Sequence, residues 1–236
     1  MSELFPIVIL AGGLASRLGS ISKTIPKSLR LVNDEPFIGH QLRLLKYYGF
    51  KKVILCIGHL GHLIQEYVQD GYKFGLSITY SSDGAQLLGT AGAIRNALSL
   101  LEENFFVLYG DSYLMINYRA IQKAFEEQTK PALMTIFKNN DNGDASNIEF
   151  SNNQIVKYDK NNKTINMQYI DFGLSLFKKS VFLNNDYFFD LNELYQKLIV
   201  KNILASYEVF QKFYEIGSIN GLNEFQNFIK GKDIPA

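Results

Sequence analysis

Hydrophobic residues in the first two thirds of the chain fall into two alternating patterns. Short, near-continuous apolar runs occupy residues 6–10, 52–57, 104–109 and 132–138, each the length of a strand, and residues 76–81 also read as a strand. Between them apolar residues recur at helical spacing. Ile38, Leu42, Leu45 and Tyr48 mark residues 37–48, and residues 61–69 follow. Ile94, Ala97, Leu98 and Leu101 mark residues 90–101, and the last such segment covers 118–128. Uninterrupted apolar strands are expected where helices cover both faces of a sheet. Their alternation with helices of this length predicts βαβ units and a mostly parallel sheet.

After residue 139 the pattern changes. A polar stretch at 139–147 precedes a predicted hairpin, 148–150 and 154–158, turning at Asn152-Asn153. Residues 169–177 read as a strand. Asp190 and Glu193 form a D-x-x-E pattern that predicts a capped helix over 190–200. Residues 203–207 and 212–216 read as closing strands, and 221–230 as a final helix. The expected fold class is α/β, a Rossmann-like three-layer αβα sandwich. Its sheet is mixed but mostly parallel, and a small β-rich subregion follows it. Residues 1–236 are expected to form a single domain.

Composition narrows the function classes. Of 236 residues, 47% are hydrophobic and 20% charged; 24 Lys and Arg nearly balance 23 Asp and Glu, for a net charge of +1. No general basic surface is implied, which argues against a nucleic-acid partner held by phosphate contacts. The single cysteine, Cys56, lies in the apolar run Val53-Ile54-Leu55-Cys56-Ile57 and reads as a buried strand thiol. One cysteine permits no intrachain disulfide, which fits a reducing compartment. With no basic, apolar, small-residue leader pattern and no apolar run of about 20 residues, the expected location is cytoplasmic, away from membranes.

In open α/β sheets ligands bind beyond the carboxyl ends of the strands. The first strand runs into Leu10-Ala11-Gly12-Gly13-Leu14-Ala15-Ser16-Arg17-Leu18. Glycines there let backbone N–H groups approach a phosphate. Arg17 adds a permanently charged fork, and Pro26-Lys27 places a second cation at a rigid turn. Clustered donors of this kind suit a triphosphate, whereas Gly12-Gly13 alone could be a strand-end turn. The dinucleotide G-x-G-x-x-G and Walker patterns are both absent. The fourth strand ends in Gly110-Asp111, a carboxylate suited to Mg²⁺ held together with substrate phosphates; the plainer reading is a cap for the helix near Asn117. His59 and His62 flank Gly61 and default to loop residues.

The run from Leu10 to Leu18 followed by Pro26-Lys27 resembles the L-A-G-G-x-G-[ST]-R-L and P-K signature of the sugar-phosphate nucleotidylyltransferases. It departs at Ala15, where that family has its third glycine, and at Ser28, where a proline is common. The resemblance extends over nearly the whole chain, with its firmest motifs before residue 112. It implies a nucleotide-binding half at 1–138 and a substrate-binding half at 139–236. Leu10, Ala11, Gly12 and Gly13 would hold the triphosphate, and Arg17 and Lys27 would neutralise charge as pyrophosphate leaves. Asp111 would bind the metal. Glu215, in Glu215-Ile216-Gly217, stands where the family has the aspartate of its D-I-G motif, the second metal carboxylate. Leu88-Gly89-Thr90-Ala91-Gly92-Ala93-Ile94 resembles the family segment beneath the base, giving Gly89 and Thr90 as base contacts. Lys160 would meet the acceptor phosphate. Asp171 stands in place of an asparagine that touches sugar hydroxyls.

The implied enzyme joins a nucleoside triphosphate to a sugar 1-phosphate, giving a nucleotide sugar and pyrophosphate in sugar-nucleotide biosynthesis for cell-surface polysaccharide. GTP is favoured, since the loops look most like those of guanylyltransferases for heptose or mannose 1-phosphate. The expected assembly is a homodimer. Asp171 raises a second reading, a cytidylyltransferase for a small non-sugar phosphate such as a choline-type compound. A third is a silent, nucleotide-binding regulatory relative.

Overall fold

The computed structural model describes residues 3–13, 24–139, 145–183 and 188–230. In chain order its elements are β1 (Ile7–Leu10), β2 (Leu31–Val32), β3 (Glu35–Pro36), α1 (Phe37–Tyr47), β4 (Lys52–Ile57), α2 (Gly61–Val68), β5 (Ser77–Ser82), α3 (Thr90–Asn96), β6 (Asn104–Tyr109) and β7 (Ser112–Tyr113). They continue with α4 (Tyr118–Glu126), β8 (Ala132–Lys138), β9 (Ile148–Ser151), β10 (Gln154–Tyr158), β11 (Tyr169–Lys178), α5 (Leu191–Val200), β12 (Leu204–Val209), β13 (Tyr214–Glu215) and α6 (Ile219–Ile229).

The main sheet runs β5-β4-β1-β6-β11-β8-β12, with the β9–β10 hairpin beside the start of β11. Pairings β1–β4, β1–β6, β4–β5 and β8–β12 are parallel, while β11 runs antiparallel to both β6 and β8. The α/β class and the mixed, mostly parallel sheet expected from the sequence are therefore found. Alternate residues of β1 serve opposite faces. Ile7 and Ile9 join a core with Ile38, Leu42 and Leu45 of α1, Ile64 and Val68 of α2 and Ile121 and Phe125 of α4. Val8 joins the opposite core with Ala91, Ala93 and Ile94 of α3 and Leu191, Leu194 and Leu198 of α5. These are the three layers. A smaller cluster of Val32, Phe37, Leu44, Tyr113, Ile216, Phe225 and Ile229 seats α6 against α1 and the β7–β13 pair.

The hairpin turns at Asn152 and Asn153, both with positive φ (50° and 59°), as a two-residue turn with right-handed twist requires. Two local expectations need correction. The helix over 90–101 ends at Asn96, and Leu98–Leu100 continues as one 3₁₀ turn. Asp190 does occupy the cap position of α5, but its side chain bonds nothing there. It reaches across to α3 instead, for the reason given below.

Candidate active site

Because β1, β4, β5 and β6 are parallel, their carboxyl ends share one edge of the sheet. A cleft of about 460 Å³ lies along that edge. Its lining includes Leu10, Ala11, Gly12 and Gly13 after β1, Gly110 and Asp111 after β6, and Gly89 and Thr90 at the start of α3. Lys27 and Lys160 complete the sequence-derived set. Nine of the twelve residues singled out from sequence thus meet in one place. Arg17, and Ala15 with it, lie outside the described residues.

Lys27 opens the 3₁₀ turn Lys27–Leu29, held by Leu29 N and Arg30 N donating to the carbonyls of Pro26 and Lys27. Its ammonium lies 2.5 Å from Asp111 Oδ2. Asp111 Oδ1 has a longer contact, 3.5 Å, from the Ser112 hydroxyl. Asn117 caps α4 with its own side chain, accepting from Ala120 N, so Asp111 is not that helix's cap. The turn carrying Asp111 is fixed from below by Gln41, a fully buried residue of α1. Its amide donates to the carbonyls of Tyr109 (3.2 Å) and Ser112 (2.8 Å). Gln41 was missed in the sequence, where a lone glutamine on an apolar helix face carries no signal.

Glu215 pairs with Ser112 across the β7–β13 ladder, which brings it beside Asp111. Its carboxylate accepts from Gly217 N, from Ser218 N (3.1 Å) and from the Ser218 hydroxyl (2.6 Å) at the start of α6. Gly217 sits between the charges: a Cβ there would touch Glu215 Oε2 and lie 2.9 Å from Lys27 Nζ and 3.3 Å from Asp111 Oδ2. Any side chain would fill this junction. Among the described residues no group of three or more His, Cys, Asp or Glu is arranged to hold a metal. Two neighbouring carboxylates at the carboxyl edge of the sheet are nonetheless of the kind Mg²⁺ takes when phosphates and water complete its shell.

Asp171 does not line the cleft but stands directly behind it. Its Oδ2 accepts from the hydroxyls of Tyr109 (2.8 Å) and Tyr158 (3.2 Å), and its Oδ1 accepts from Gly173 N (3.0 Å). Burial, reinforced by the Asp171 charge, pushes both tyrosine hydroxyls well above their ordinary range, so they remain donors. Lys160 Nζ lies over the two rings, 5.2 Å from the centroid of Tyr109 and 5.7 Å from that of Tyr158. The two tyrosines were not anticipated as site residues; in sequence each looks like one more apolar strand position.

Thr90 and Asp190 exchange caps. Asp190 Oδ1 accepts from Thr90 N (2.9 Å) and its hydroxyl (3.0 Å), while Thr90 Oγ1 accepts from Leu191 N (2.8 Å). Ala91 N and Gly92 N donate to the Phe189 carbonyl, both at 3.1 Å. The starts of α3 and α5 are thereby joined at the cleft wall. Cys56 is buried, and burial first, then the nearby Asp83 charge, raises its thiol far above the ordinary range. His59 and His62 are both exposed and do not line the cleft.

The nucleotidyl transferase family model matches residues 7–231, and the chain belongs to that family. It is 40% identical over 110 residues to a D-glycero-alpha-D-manno-heptose 1-phosphate guanylyltransferase of Campylobacter jejuni, covering 47% of this chain and 49% of that protein. It is 38% identical over 114 residues to an N-acetylmuramate alpha-1-phosphate uridylyltransferase of Neisseria meningitidis, covering 48% and 49%. These matches span about half the length of those relatives. The fold is similar to a Bacillus anthracis structure assigned as a glucose-1-phosphate thymidylyltransferase, with TM-score 0.85, 21% identity and coverage of 98% and 97%. No helix among the described residues is long and apolar enough to cross a membrane.

Proposed function

We propose that the protein transfers a nucleotidyl group from a nucleoside triphosphate, GTP in preference, to a sugar 1-phosphate. The observation that carries this reading is the convergence of the glycine turn, Lys27, Asp111 and Lys160 on one cleft at the carboxyl edge of the sheet. An acceptor phosphate oxygen attacks the α-phosphorus, a new P–O bond forms, and the α–β phosphoanhydride bond breaks to release pyrophosphate. A phosphate is already nucleophilic at neutral pH, so the protein's task is positioning and charge stabilisation. The backbone of residues 11–13 cradles the triphosphate, with Arg17 as a further cation. Lys27 meets charge growing on the departing pyrophosphate. Lys160 holds the acceptor phosphate, and Asp171 sets the surface on which Lys160 rests. Gly89 and Thr90 form the wall beside the base. Mg²⁺, held by Asp111 and Glu215, would supply further neutralisation of the phosphates when bound. The guanylyl preference draws support from the heptose 1-phosphate relative.

The test is pyrophosphate release across GTP, CTP, UTP, ATP and dTTP, each with heptose, mannose and glucose 1-phosphates and with phosphocholine, in the presence of Mg²⁺. Release with GTP and a sugar 1-phosphate is expected. Release only with CTP and phosphocholine would move the assignment to the second reading. No release in any combination would favour a regulatory relative.

A further inference from the structure

We propose that Gln41 is a positioning residue for the divalent cation: by holding the turn at the end of β6 it sets where the Asp111 carboxylate stands, and with it how tightly the cation is held. The inference rests on the reading of Asp111 and Glu215 as metal carboxylates given above.

Gln41 lies on α1 among residues that face the sheet. Ile38, Leu42 and Leu45 of the same helix are fully buried in an apolar core, and Gln41 is as deeply buried as they are, at 0% exposure. The two hydrogens of its Nε2 are shared between the carbonyls of Tyr109 and Ser112. One carbonyl belongs to the residue two before Asp111 and the other to the residue after it, so a single amide grips the chain on both sides of the carboxylate. Two backbone bonds add to that hold. Gly110 N donates to the Leu10 carbonyl at 3.1 Å, and Ile216 N donates to the Asp111 carbonyl at 3.0 Å. The first fastens the turn to the start of the glycine run, the second to the residue that follows Glu215. Gly110 leaves no slack, because an added Cβ would run into the Leu10 carbonyl oxygen.

The other end of the Gln41 amide marks what the residue is kept for. Its Oε1 is buried and has no hydrogen-bond partner among the described residues. Turning the amide over would set that oxygen against two carbonyl oxygens, so the NH₂ is the end that faces the turn. A buried acceptor without a donor works against folding. An apolar residue of the same length would fill the space without that acceptor, but it would leave two converging carbonyls unbonded. They would then turn toward other donors, and Asp111 lies between them. Tyr109 is anchored independently at its far end, where its hydroxyl donates to Asp171. Loss of Gln41 therefore falls on the Asp111 carboxylate more than on the rings beneath Lys160.

Mn²⁺ alone is the probe. Its free-ion EPR signal, titrated with the full chain, gives a dissociation constant without nucleotide, acceptor or turnover. Gln41→Met keeps the side-chain length and removes both donors. It should raise the Mn²⁺ dissociation constant roughly 10–100-fold, the effect of losing a group that orients a metal ligand. Gln41→Asn keeps the amide but draws it back by one methylene; it should move the constant the same way and carries the test if Gln41→Met does not fold. Leu45→Ala, equally buried on α1, is the structural control. It should lower the melting temperature at least as far and leave the Mn²⁺ constant where it was. An unchanged constant in folded Gln41→Met or Gln41→Asn overturns the inference, as does an equal weakening in Leu45→Ala. Asp111→Asn separates this failure from that of the reading beneath it. If it weakens Mn²⁺ binding while the Gln41 variants do not, only the inference falls. If the wild type takes up no Mn²⁺, or Asp111→Asn binds it as tightly as the wild type, the metal reading falls with it.

Discussion

The ammonium of Lys27 and the Oδ2 of Asp111 meet at 2.5 Å, joining the 3₁₀ turn after Pro26 to the end of β6 across 84 positions of sequence. Side-chain exposures of 20% and 34% leave both accessible from the cleft. A half-buried pair open to solvent from the cleft contributes little to stability. Its placement therefore matters more for ligand than for fold. Lys27→Ala should lower kcat/KM by about 10²–10³, the cost of removing one preorganised charge-stabilising donor. The melting temperature should stay within a few degrees of wild type. Steady-state pyrophosphate release and a thermal melt together check this, and an unchanged rate would remove Lys27 from the machinery.

Glu215 separates two roles that coincide in space. Its carboxylate accepts from Gly217 N and from the N–H and hydroxyl of Ser218, the cap residue of α6, and a negative charge beside a helix start is favourable by about 0.3–1 kcal/mol. It also lies one residue's width from Asp111, on the far side of Gly217. Glu215→Gln should raise the Mg²⁺ concentration for half-maximal activity at least roughly tenfold, as loss of groups around a metal does. A purely structural Glu215 would lower the melting temperature slightly and leave the Mg²⁺ titration where it was.

Asp171 supports a cleft wall that it does not itself line. Three donors converge on it, the hydroxyls of Tyr109 and Tyr158 and the N–H of Gly173. An asparagine offers one acceptor oxygen and one NH₂: turned one way its NH₂ faces the Gly173 N–H, and turned the other way both tyrosine hydroxyls must accept from it and lose the carboxylate as acceptor for their own protons. Asp171→Asn should cost about 1–3 kcal/mol of stability. It should also raise the acceptor KM more than the nucleotide KM, because the rings beneath Lys160 lose their anchor. Tyr109→Phe should move the acceptor KM in the same direction with a smaller stability loss. Equal effects on both KM values would assign Asp171 a general packing role.

What was legible in the sequence follows from how each signal is encoded. Strands buried on both faces announce themselves as apolar runs, and β1, β4, β6 and β8 appear where those runs lie. Glycines and charged residues in the loops after strand ends mark the ligand edge, because a parallel sheet puts all those ends together. Lys27, Asp111 and Gly89 could be found that way. Gln41, Tyr109 and Tyr158 could not, since their importance comes from partners on other elements. Asp190 is the clearest case. Its spacing to Glu193 predicts a local cap, yet the nearest unsatisfied N–H it meets belongs to Thr90, 100 positions earlier.

That exchange of caps makes the last prediction. Thr90 and Asp190 each satisfy the first free N–H of the other's helix, so one substitution loosens two helix starts. Thr90→Val keeps the shape but leaves Leu191 N without its acceptor and removes the donor to Asp190. A single lost cap costs about 0.5–2 kcal/mol, and Thr90→Val should reach the upper part of that range. Gly89→Ala should be worse. Gly89 has φ +77°, and an added Cβ would lie 2.6 Å from the Phe189 carbonyl oxygen, the acceptor for Ala91 N and Gly92 N. The backbone strain of an L-residue in this extended, positive-φ conformation is about 1–3 kcal/mol before the clash is counted. The 188–190 segment would have to withdraw, opening the cleft wall. Urea unfolding should give both variants a lower midpoint at an unchanged slope, with Gly89→Ala the less stable, and its nucleotide KM should rise. A Gly89→Ala protein as stable as wild type would mean that this joint does not hold α3 and α5 together.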